Sequence, residues 1–133
     1  MTEELRTRIE KLIEEKHFEE AIKLCDEAIE KYDKDEDAYF LKANCYFELE
    51  DYNAAIENLN KVIELNPNSE KAYFNRAISK AKSEMYEEAI KDYDKAIELN
   101  SNDEVYYINR GVSKSNLERY VSNTSNRPSH NSE

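Results

Sequence analysis

Phe18-Glu19-Glu20-Ala21-Ile22 returns as Tyr52-Asn53-Ala54-Ala55-Ile56 and again as Tyr86-Glu87-Glu88-Ala89-Ile90. Both steps are 34 residues. Each copy carries an aromatic residue, two mostly polar residues, an alanine and an isoleucine. A fixed period of this length marks a repeat architecture, in which each unit buries its apolar face only against its neighbours. Such an element is a packing joint. It does no chemistry, and the surfaces it positions do the work.

The register extends on both sides of the joint. Before it stand Leu5, Tyr39, Tyr73 and Tyr107, and four residues later Ile9, Ala43, Ala77 and Gly111, which are mostly small. After it stand Cys25, Leu59 and Tyr93, then Ala28, Val62 and Ala96, then Ile29, Ile63 and Ile97. Apolar spacings of three and four make each unit a pair of amphipathic helices. The small positions Ala43, Ala77 and Gly111 and the joint alanines Ala21, Ala55 and Ala89 are expected where the two helices of a pair come closest. Asn66-Pro67-Asn68-Ser69 and Asn100-Ser101-Asn102-Asp103 read as boundaries, because proline stops a helix and Asn, Ser and Asp favour turns and caps. Asp51, just before Tyr52, is the expected cap of a second helix.

The units therefore run over residues 2–35, 36–69 and 70–103, with a partial fourth over 104–120. The register fails at Asn123, where an alanine is due. Residues 121–133, rich in Ser and Asn, are expected to be a disordered tail. The fourth helix then lacks its partner while carrying Tyr107, Leu117 and Tyr120, which offers a route to self-association or to further repeats.

Composition excludes several functions. The 133 residues carry a net charge of −11, a sign that repels phosphate backbones and anionic lipids, so neither nucleic acid nor membrane is expected as a partner. The charge is graded: residues 2–35 hold seven cations against twelve carboxylates, whereas residues 104–133 hold four against three. The carboxylates read as solvated helix faces. No apolar run spans a bilayer, and the acidic start is unlike a signal peptide, which leaves a cytoplasmic location as the expectation. Cys25 and Cys45 sit inside helical patterns and read as buried thiols. His17 and His130 have no ligand at metal-binding spacing, and neither a phosphate loop nor a nucleophile motif is present. No enzyme activity, cofactor or metal is expected.

The units resemble tetratricopeptide repeats (TPR). Their signature of a large residue, a small residue four later, Ala-x3-Phe and a closing proline falls on Tyr39, Ala43, Ala55, Leu59 and Pro67 in the second unit. The third matches at Tyr73, Ala77, Ala89 and Tyr93, and the first less fully at Leu5, Ile9, Ala21 and Cys25. The resemblance covers residues 2–120. It implies an all-α, right-handed superhelical solenoid whose first helices line a concave groove that binds a peptide or partner helix, as a scaffold or adaptor. Carried over residue by residue, the groove positions are Arg6, Glu10 and Ile13; Phe40, Asn44 and Phe47; Lys71, Phe74, Asn75 and Ile78; and Ile108, Asn109 and Val112. The phenylalanines are expected to lie away from the packing positions and to give apolar contact. Asn44, Asn75 and Asn109 are expected to hold a ligand backbone.

Two alternatives remain. One is a structural segment of a larger array or oligomer. The other is an adaptor for heat-shock chaperone tails, which some family members clamp with two Lys, two Asn and an Arg. Units one to three offer Arg6, Glu10, Leu41, Lys71 and Asn75 at those places, and units two to four offer Phe40, Asn44, Asn75, Val105 and Asn109. The first set puts a carboxylate in the clamp and the second has no cation, so the charge-assisted bonds a carboxylate ligand needs are poorly supplied.

Overall fold

A computed structural model describes residues 1–126. They form seven helices: α1 (Glu3–Glu14), α2 (Phe18–Lys31), α3 (Glu36–Glu48), α4 (Tyr52–Leu65), α5 (Glu70–Lys82), α6 (Tyr86–Leu99) and α7 (Glu104–Asn126). The described residues contain no strand. Phe18, Tyr52 and Tyr86 are each the first residue of the second helix of a pair. Each helix packs on the next in the chain, and first helices of neighbouring units also meet, α1 on α3 and α5 on α7.

The helix starts follow from local chemistry. Thr2, Asp35, Asp51 and Ser69 turn a side-chain oxygen back to accept an amide three residues on, which satisfies one of the free amides at a helix start. The turn inside each unit is also repeated. Lys16, Glu50 and Glu84, again 34 apart, have φ of 65°, 61° and 62°. His17, Asp51 and Met85 donate their amides to Leu12, Tyr46 and Lys80, closing a left-handed helix terminus in all three pairs. Glycine is the residue at ease in that conformation, but this chain uses Lys and Glu there.

The core is spread along the array in four clusters. Ile9, Ala21, Cys25, Leu41 and Cys45 fill the joint between the first two units. Both thiols are free and buried, which lifts Cys25 from an ordinary 9.0 to about 12 and Cys45 to about 11. Ala43, Leu59, Val62 and Ala72 follow, then Tyr73, Ala96 and Tyr106, and Ala77, Ala89 and Tyr93. Within the described chain, α7 is open on the side where a paired helix would lie. A Cβ added at Gly111 would meet no atom within 4 Å.

Three expectations need correction. The helix of the fourth unit does not stop at Tyr120 but continues through Asn126, so residues 121–126, expected in the tail, are helical. No proline interrupts that run, extension costs little once a helix has formed, and Thr124 bonds back to the Tyr120 carbonyl at 2.8 Å. Residues 127–133 of the expected tail lie outside the described residues. Nor are all carboxylates solvated, because Asp35 and Asp92 are buried. Asp35 is a helix cap. Asp92 accepts two bonds from Arg76, at 2.7 and 2.8 Å, and a second cation, Lys80, lies 3.0 Å away. Finally, Gly111 makes no close approach to a paired helix.

Candidate functional site

The first helices α1, α3, α5 and α7 share one face, and a chain of clefts runs along it. At its centre a cleft of about 270 Å³ brings together Ile13 from α1, Asn44, Phe47 and Glu48 from α3, and Asn75, Ile78 and Ser79 from α5. Ala43 and Leu59 form its floor. Spacings of three and four on each helix put these side chains on one side, which is why three units can converge. Ile78 also borders a cleft with Asn109 and Val112 of α7. Toward the other end, Arg6, Phe40 and Lys71 share a cleft with Glu36, Asp37 and Glu70.

The expected groove residues divide into three kinds. Asn44, Phe47, Asn75 and Ile78 meet in one cleft, and Asn109 and Val112 adjoin it. Arg6 and Lys71 stand together at the far end, although Arg6 is held by Asp37 at 3.1 Å and Glu10 at 3.6 Å. The phenylalanines do not lie away from the packing positions. Phe40 leans on the Ala43–Leu59–Val62–Ala72 cluster. Phe47 meets Tyr52 edge-on with ring centres 5.5 Å apart. Phe74 joins a stack with Tyr106 at 4.7 Å and Tyr93 at 5.9 Å, and belongs to the core between units three and four. Such ring pairs add to burial energy, so Phe74 supports the groove from behind. Ile108 is 63% exposed. Asn109 spends one amide hydrogen on the Val105 carbonyl at 2.9 Å.

Ser79, Glu48 and Leu59 are cleft residues that spacing alone did not single out. The available signal was alignment at 34 residues: Cys45, Ser79 and Ser113 share one small, buried position. A second missed feature is a seam between units. Asp26–Lys42 at 2.7 Å, Asn60–Arg76 at 2.8 Å and Asp94–Arg110 at 2.7 Å repeat the same link, each 16 residues apart. Arg76 alone adds the buried Asp92, so it joins α4, α5 and α6. No helix among the described residues is long and apolar enough to cross a membrane.

Comparison with known proteins agrees with this architecture. The first TPR of Spaghetti (RPAP3), solved with the HSP90 peptide SRMEEVD, is 24% identical with a TM-score of 0.82, over 86% of this chain and 90% of that one. The first TPR domain of human RPAP3 is 23% identical with a TM-score of 0.83, over 92% and 94%. The second human RPAP3 domain, in complex with the HSP70 peptide SGPTIEEVD, is 18% identical with a TM-score of 0.78, over 83% and 92%. No curated protein matches the sequence. Residues 14–96, more than half of the chain, match the model described as Anaphase-promoting complex, cyclosome, subunit 3, so the chain belongs to that family, which is of the tetratricopeptide-repeat type.

Proposed function

We propose that the chain is a cytoplasmic, non-catalytic adaptor that holds an extended peptide or partner helix along the face of α1, α3, α5 and α7. One observation carries the reading. Residues from three successive units, Ile13, Asn44, Phe47, Asn75 and Ile78, line a single cleft with an apolar floor and polar rim. That composition suits peptide capture in a groove. The test is affinity capture with wild type beside a Phe47→Ala, Ile78→Ala double variant, with helicity checked by circular dichroism. A folded double variant should lose the partner. A partner kept equally by both overturns the reading. Phe74 is unsuitable as the probe, because its loss would disturb the aromatic stack.

A second reading, assembly, has its own support. Tyr107, Ile108, Val112, Tyr120 and Val121 on α7 are all exposed, and Gly111 among them faces open space. Leu117 is half-buried beside Tyr120. Sedimentation velocity decides this: a dimer that Tyr107→Glu dissolves supports assembly, and a monomer at every concentration refutes it. Chaperone tails are the weaker ligand. RPAP3 domains of similar fold bind such peptides, but here Glu10 and Asp37 engage Arg6, leaving Lys71 as the cation of that cleft.

A further inference from the structure

The repeat register narrows the ligand, provided the groove reading holds. Cys45, Ser79 and Ser113 occupy one buried position in successive units. Ser113 and Tyr93 line one cleft, where burial raises the pKa of the phenol and the serine's polar interaction with it opposes that rise. The Ser79 hydroxyl has no hydrogen-bond partner among the described residues. The cause is one unit back in the sequence: the residue in register with Tyr93 is Leu59, which is shorter and has no polar atom. Leu59 and Ser79 both line the central cleft. One joint thus has a phenol beside its serine, whereas the other has a leucine there and an unsatisfied hydroxyl. A buried polar group without a partner is costly, and a ligand that supplies the bond recovers that cost.

The charge of the groove points the same way. Glu10, Glu36, Asp37, Glu48 and Glu70 line its clefts. Opposing them are Arg6, already bound by Glu10 and Asp37, and Lys71 and Lys82. An acidic groove attracts a cationic chain and repels an anionic one.

We propose that the groove receives a lysine- or arginine-rich peptide segment anchored by a tyrosine, whose phenol enters the cleft between α3 and α5 and bonds the Ser79 hydroxyl. The phenol stands beside Ser79 as Tyr93 stands beside Ser113.

Fluorescence anisotropy on the full chain tests this with synthetic peptides of one length. Three have lysine flanks and a central Tyr, Phe or Ala, and the fourth has glutamate flanks and Tyr. The lysine-flanked Tyr peptide should bind tightest. Phe in its place should weaken binding about fivefold, the worth of one hydrogen bond. Central Ala or glutamate flanks should weaken it more than about tenfold, and added salt should weaken the lysine-flanked series. Ser79→Ala should erase the difference between Tyr and Phe. Leu59→Tyr should supply the phenol from within the chain and erase the preference for Tyr over Phe; if that variant fails to fold, Ser79→Ala decides. Methyl NMR of Ile13 and Ile78 locates the bound peptide.

Equal binding of Tyr and Phe by wild type, or of glutamate and lysine flanks, overturns the proposal; shifts at Ile13 and Ile78 would leave the groove reading standing. Binding that shifts neither methyl overturns both; no binding at all overturns the proposal, and the Phe47→Ala, Ile78→Ala capture still decides the groove reading. A chain that self-associates and resists every peptide also overturns the proposal.

Discussion

Tyr73 and Tyr107 hold the same place in successive units, as do Ala77 and Gly111, and Arg76 and Arg110. In α5 the tyrosine is 9% exposed, the alanine is sealed, and the arginine reaches Asn60 on one side and Asp92 on the other. In α7 the tyrosine is 42% exposed, the glycine faces open space, and among the described residues the arginine pairs with Asp94 alone. Yet each arginine lies over its own tyrosine ring, at 5.6 and 5.4 Å. Contacts within a helix survive the loss of a neighbouring helix, whereas burial does not. Residue type records the position in the frame, and the next helix supplies the energy.

Breaking the closed side should have the largest effect. Asp92→Ala leaves Arg76 and Lys80 partly buried with no carboxylate, at a cost of about 3 kcal/mol. Asp94→Ala, which breaks the matching exposed pair with Arg110, should cost about 0.5 kcal/mol or less. Urea melts of the two variants measure the contrast; equal midpoints would mean that burial of Asp92 contributes nothing. Next comes size at the close approach. Ala77→Leu should destabilise by about 1–3 kcal/mol through overpacking. Gly111→Ala should instead stabilise by about 0.5–1 kcal/mol, because the helix gains a better former and the new methyl meets nothing. A Gly111→Ala protein that melts lower would show that the open side is occupied in solution.

The turns give a smaller effect. Glu50→Gly relieves a left-handed residue, and Glu50→Ala does not, so calorimetry should place the glycine variant above the alanine variant by about 1 kcal/mol. The smallest effect at neutral pH belongs to the thiols, which α7 lacks. Their pKa values are raised in the folded state by burial, so the stability they lend is complete below the ordinary 9.0 and is lost as pH rises toward about 11 for Cys45 and about 12 for Cys25. Melts at rising pH should therefore show an alkaline loss above pH 9 that Cys25→Ala reduces, while thiol reagents stay excluded until unfolding.

Much of this frame is legible in residue order. The joints at Phe18, Tyr52 and Tyr86 begin the second helices because an aromatic followed by Ala-Ile has only one place to pack at each 34-residue step. Asp51 caps α4 because capping is decided within one turn of chain. What escapes is whatever depends on a single unit. Asp92 aligns with Asn58 and Leu24, so no pattern announces a buried carboxylate there. Phe74 shares its groove position with Phe40, but only Phe74 has Tyr93 of its own unit and Tyr106 of the next to fold against. The unsatisfied Ser79 hydroxyl accompanies a departure, Leu59 where the next unit has Tyr93, and a departure is visible only after the register is known.

The three-helix grip of Arg76 bears on how the array comes apart. A solenoid frays from its ends, one unit after another, unless something ties the units together. Amides of α7 should exchange with solvent first, since one arginine link and one packed face hold it. Further loss then meets Arg76, which cannot release α6 without also loosening its hold on α4. Units two and three should therefore exchange as one cooperative block, with a step in protection between α6 and α7 and none between α4 and α5.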